Sequence, residues 1–78
     1  MTLAEASIGD EVEVLGYTLS TPPVCRAKLL ALGITKKTVV EVMNIAPFGD
    51  PIEVKVRGYH LSLRLEEAKC IKVKKMNR

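Results

Sequence analysis

Ile52-Glu53-Val54-Lys55-Val56-Arg57-Gly58-Tyr59-His60-Leu61-Ser62-Leu63 reads as two strands and the turn between them. Ile52, Val54 and Val56 alternate with Glu53, Lys55 and Arg57, then Tyr59, Leu61 and Leu63 alternate with His60, Ser62 and Arg64. A period of two sends one set of side chains to each face, so each strand is greasy on one side only. Arg57-Gly58 is the tight turn, since Gly58 can take the positive φ that a short hairpin connection needs.

Working outward, the same alternation recurs on both sides. Ile71 and Val73 alternate with Lys72 and Lys74, Glu11-Val12-Glu13-Val14-Leu15 opens as a strand, and Thr38 to Ile45 is a β-branched strand with Val40 and Val42 inward. Five short one-sided strands must wrap around a shared interior. Ala46-Pro47-Phe48-Gly49-Asp50-Pro51 is a loop, and Leu65-Glu66-Glu67-Ala68 suits a 3₁₀ turn before the last strand. The expected fold is mainly β: a five-stranded SH3-like barrel whose closure hides its sheet edges, with one helix between the first and second strands. It fills one domain, residues 1–78, ending in a basic tail from about 74 to 78.

The helix body is Val24-Cys25-Arg26-Ala27-Lys28-Leu29-Leu30-Ala31-Leu32, with Thr21 as its cap, Pro22 and Pro23 in its first turn and Gly33 at its end. At about 100° per residue it carries two apolar arcs. Cys25, Leu29 and Leu32 form one; Val24, Ala27, Leu30 and Ala31 form the other; Arg26 and Lys28 mark the boundaries. A helix needs one stripe to dock on a barrel. The other arc is either covered by Leu15 to Leu19 with Tyr17, or is a docking surface centred on Leu29 or Leu30.

Several classes of function find little support. His60 is the single histidine and sits on the polar face of its strand; no triad or phosphate loop accompanies it. Glu66 and Glu67 read as solvated carboxylates. Cys25, His60 and Cys70 do not cluster in sequence, so the cysteines read as buried and structural, and neither a metal nor a cofactor is expected. Phe48 at its loop tip reads first as a plug for the barrel end and second as an anchor in a partner's pocket. The net charge of +3 is concentrated in Lys69, Lys72, Lys74, Lys75 and Arg78. Three aromatics and mixed charge elsewhere do not suit a nucleic-acid surface. The start does not read as a signal peptide and no apolar run reaches membrane length, so a cytoplasmic location is expected.

Three segments together resemble one known family. Arg26-Ala27-Lys28-Leu29-Leu30-Ala31-Leu32-Gly33-Ile34 is similar to the basic-x-basic-Leu-x-x-Leu-Gly signature of FeoA proteins. Gly49-Asp50-Pro51-Ile52 resembles their loop motif, and Gly58-Tyr59-His60-Leu61-Ser62-Leu63-Arg64, with Glu67-Ala68 and Ile71-Lys72-Val73, their closing segment. Lys36-Lys37-Thr38 departs from the family's usual Pro-Gly. The resemblance implies an SH3-like barrel, related to the C-terminal domain of metal-dependent repressors of the diphtheria toxin repressor type. It also implies a non-enzymatic role beside FeoB, the ferrous iron transporter with a cytoplasmic G-protein domain, at the inner face of the plasma membrane. Arg26, Lys28, Leu29, Leu30 and the loop Pro47, Phe48, Gly49, Asp50, Pro51 are the expected partner-binding residues. The rival expectation is a metal-binding regulator of the repressor-related kind. Oligomeric state is not written in the sequence.

Overall fold

The computed structural model describes residues 1–76. Asn77 and Arg78, the end of the expected basic tail, lie outside the described residues. The strands are β1 (Glu11–Tyr17), β2 (Val39–Ile45), β3 (Ile52–Val56), β4 (Tyr59–Leu63) and β5 (Ile71–Lys75). They form one antiparallel sheet in the order β4-β3-β2-β1-β5. Helix α1 (Pro23–Ala31) lies between β1 and β2, and the single turn α2 (Leu65–Ala68) precedes β5. That turn closes with mixed bonds: Glu67 N to Arg64 O is of the 3₁₀ type, and Lys69 N to Leu65 O of the α type. A second 3₁₀ turn at Leu3–Glu5 went unread in the sequence; Glu5 caps it by accepting the Thr2 N–H at 2.7 Å.

On β1, β2, β3 and β5 the alternation sorts side chains as the sequence implies. On β4 only Leu63 is buried, whereas Leu61 is half-buried and Tyr59 is exposed. Val12, Val14, Val40, Val42, Ile52, Val54, Val56, Leu63, Ile71 and Val73 are buried, joined by Leu3, Ala6, Leu29, Ile34 and Ala68. Arg57 and Gly58 both take positive φ, 51° and 86°, which is the geometry of a tight hairpin matched to strand twist. The sheet does not seal as a closed barrel: β4 and β5 stand at opposite edges. Instead, residues 1–2 run along β5, where Thr2 bridges Lys72 and the Val73 N–H donates to the Met1 carbonyl at 2.9 Å. Occupying an edge with a short extra segment removes a template for unwanted pairing.

Helix α1 starts one residue later than expected. Pro22 is the N-cap with extended backbone, and Pro23 takes the first helical position, where a missing N–H costs nothing. Thr21 lies outside the helix, its hydroxyl shared with Thr18 at 3.0 Å and with the Cys70 carbonyl at 3.5 Å. The other end is a complete Schellman stop. Gly33 sits at φ 95°, its N–H bonds the Leu30 carbonyl at 3.0 Å, and the Ile34 N–H bonds the Leu29 carbonyl at 3.0 Å. Leu29 and Ile34, which flank that stop, are both fully buried.

Candidate docking surface

The Schellman stop fixes which face of α1 meets the barrel. Leu29 is 0% exposed, with Cys25 and Leu32 packed beside it against the core. The arc of Cys25, Leu29 and Leu32 is therefore the seat of the helix. Leu29 belongs to the core, which corrects its expected place at the centre of a docking surface. Val24 is 84% exposed and Leu30 41%, with Ala27 and Ala31 also exposed. Spaced three and four apart, these four residues make one continuous stripe along the outside of the helix.

Leu15 to Leu19 does not cover this stripe. A bulge between Val14 and Gly16 shifts the register of β1 against β5, and Leu15 turns outward. Tyr17 goes the other way, donating its hydroxyl to the Ile34 carbonyl beyond the helix stop. Burial holds the Tyr17 phenol above its ordinary pKa, opposed by Arg26, whose guanidinium lies 5.8 Å from the ring centroid. Arg26 is thus engaged at one boundary of the stripe by cation–π attraction. At the opposite boundary Lys28 pairs with Glu67 of α2 at 2.6 Å. The hydrogen bond to Glu67 raises the Lys28 pKa, and the same bond lowers that of Glu67. Tyr59 closes the seat by donating to the Leu32 carbonyl at 2.7 Å.

The 47–51 loop reaches α2 from the other side. Asp50 accepts the Leu65 N–H at 3.1 Å and pairs with Arg64 at 3.4 Å, so it anchors the loop to the start of that turn. Pro47, Phe48 and Pro51 are exposed, and Gly49 takes φ 82° at the tip. Phe48 is 96% exposed. The expected plug is therefore absent, because the aliphatic strand residues already fill the interior. The stripe on α1 and the loop tip are each tied to α2, through Lys28 and Asp50 respectively.

Elsewhere the chemistry is sparse. His60 is exposed on β4 opposite Lys55. Cys25 and Cys70 are free thiols and half-buried rather than fully buried. Among the described residues, no group of three or more His, Cys, Asp or Glu side chains converges as a metal site. Lys36, Lys37 and Arg57 line a shallow depression with Thr38 and Val39. Arg57 Nη2 reaches the Thr35 and Thr38 hydroxyls at 2.9 and 3.2 Å, which steadies the turn that lacks the family's Pro-Gly. Lys37 supplies the positive φ there, 73°, in place of a glycine. No described helix is long and apolar enough to cross a membrane.

Sequence reasoning named Val24 but did not single it out, and of its two candidate centres, Leu29 and Leu30, only Leu30 is exposed. The signal was present: a Gly33-Ile34 stop pairs the residue after glycine with the one four positions before glycine, which selects Leu29 for burial.

Comparison with known proteins gives a consistent picture. The FeoA domain family matches residues 1–75. A FeoA-like protein from Clostridium acetobutylicum is 37% identical and superposes with a TM-score of 0.89, covering 100% of this chain and 88% of its own. The zinc complex of Stenotrophomonas maltophilia FeoA, an SH3 domain protein, is 29% identical with a TM-score of 0.82, covering 95% and 89%. A fusion of Fe(2+) transport protein A with the Fe(2+) transporter FeoB from Porphyromonas gingivalis is 30% identical over 73 residues, 94% of this chain. The chain spans 8% of that fusion's length. A manganese-dependent transcriptional repressor shares the fold alone, at 20% identity and a TM-score of 0.88 over 96% of this chain and 36% of its own.

Proposed function

Because the chain belongs to the FeoA domain family, we propose that it is a non-enzymatic accessory protein of ferrous iron uptake that binds the cytoplasmic G-protein part of a FeoB-type transporter. The observation that carries this reading is the uncovered stripe of Val24, Ala27, Leu30 and Ala31 on an otherwise well-filled small domain. An exposed apolar stripe edged by Arg26 and Lys28 suits a partner groove with an acidic rim. Phe48, with Pro47 and Pro51 beside it, offers a second contact, and Gly49 and Asp50 shape and anchor that loop. The fused relative supports the partner, since joining two modules in one chain holds them at high effective concentration. Binding at the inner face of the plasma membrane then comes through the transporter.

Such a protein alters transport only if it binds two transporter states unequally. The test is a pull-down with detergent-solubilised FeoB-type transporter, with and without guanine nucleotide. Leu30→Lys and Val24→Glu should each weaken capture at least tenfold while the circular dichroism spectrum stays native. Full capture by both folded variants would remove the stripe from the interface.

A further inference from the structure

Cys25 and Cys70 lie 45 positions apart in sequence, yet the fold brings their segments together. Just ahead of α1, the Thr21 hydroxyl donates to the Cys70 carbonyl at 3.5 Å, and the Thr18 N–H donates to the same oxygen at 2.9 Å. One turn beyond Cys25, Lys28 Nζ reaches Glu67 at 2.6 Å. Cys25 lies between these two ties, packed against the core and three residues before Lys28, which puts it on the same helix face as that lysine. The Cys70 thiol donates to the Glu66 carbonyl at 3.4 Å. Cys70 is among the groups that raise the Cys25 pKa, after burial. Both are half-buried and free.

We propose that Cys25 and Cys70 form a reversible intramolecular disulfide, with a low-molecular-weight disulfide such as oxidised glutathione as oxidant. One protein thiolate attacks a sulfur of the oxidant, its S–S bond breaks, and the departing thiolate takes up a proton. The second protein thiol, on losing its proton, attacks the mixed disulfide at the protein-side sulfur and expels a second small thiol. Two protein thiols are thereby oxidised and one small disulfide is reduced to two thiols. Burial chiefly, with Cys70 and Glu67 adding to it and Lys28 opposing it, pushes the Cys25 thiol above its ordinary pKa. Exchange therefore quickens as pH rises, because the thiolate is the reacting form. The new bond fastens the first half of α1 to the entry of β5.

The test incubates the reduced full chain with oxidised glutathione, blocks remaining thiols with an alkylating agent and records the intact mass. The expected product is a monomer lighter by two hydrogens, carrying no alkyl group, with peptides containing Cys25 and Cys70 joined. Its thermal midpoint should rise by roughly 10 °C, the usual consequence of closing a long loop, and fall back on adding dithiothreitol. Cys25→Ser and Cys70→Ser should each hold one lasting glutathione adduct, since the resolving thiol is gone. Lasting adducts on both cysteines of the unsubstituted chain, covalent dimers, or two unmodified thiols would overturn the proposal.

Discussion

Adjacent leucines on α1 have opposite duties. Leu29 seats the helix and joins Ile34 across the stop, whereas Leu30 faces outward. Leu29→Ala should cost about 2–5 kcal/mol, read as a lower midpoint in urea, because it leaves a cavity that the small core cannot refill. Leu30→Lys should change stability by less than about 0.5 kcal/mol. Equal losses from the two would contradict the assignment of faces. Gly33 has a similar standing: at φ 95°, a methyl there would sit 3.2 Å from the Tyr59 hydroxyl. Gly33→Ala should therefore destabilise by about 1 kcal/mol or more, through backbone strain and the displaced tyrosine. The sequence announced the stop at Gly33 but left the choice between Leu29 and Leu30 open, because a wheel with two apolar arcs has no unique inside. Only the hydrogen-bond geometry of the stop decides it.

At the scale of the element, α2 is the clearest case of a small piece with several attachments. Glu67 accepts the Arg64 N–H at 2.9 Å, capping the turn, and also holds Lys28 of α1. The Lys28 hydrogen bond is the largest cause of the lowered Glu67 pKa, followed by the Arg64 backbone bond. A carboxyl whose pKa falls on folding stabilises the native state above its unfolded value, near 4.5, and loses that contribution as pH drops through the lower folded value. Unfolding followed from pH 6 down to pH 2 should show this loss, and Glu67→Gln should flatten that part of the profile. An unchanged acid limb in the variant would mean that the pair adds nothing. Sequence reading placed a turn here yet took Glu66 and Glu67 alike as solvated. Sequence alone gives no hint that Lys28, 39 positions earlier, comes to rest beside one of them. Phe48 fared likewise: a lone loop aromatic gives no measure of how full the interior already is.

Across the whole molecule, every secondary-structure element except the exposed face of α1 contributes to one core. Leu3 from the first turn, Leu29 from α1 and Ala68 from α2 meet the strand valines. A single shared core predicts that helix and sheet unfold together, so far- and near-ultraviolet dichroism should give coincident thermal curves. An earlier loss of the helix signal would show α1 to be separable. The five strands were readable because period-two alternation is a local signal that one-sided burial imposes on each strand. Edge order was not readable, since the pairing of residues 1–2 with β5 joins distant parts of the chain. The SH3-like architecture places the α1 stripe and the 47–51 loop at the surface while the strands supply the rigid support beneath them.

The two phenols that grip the carbonyls of Leu32 and Ile34 also give the molecule an intrinsic optical gauge. With no indole in the chain to outshine them, ultraviolet emission comes essentially from these rings, and both are stationed where the helix hands over to the next segment. Any rocking of the helix when a partner takes hold would loosen one grip or both. A titration could therefore be followed by light alone, with no dye attached to the surface under study.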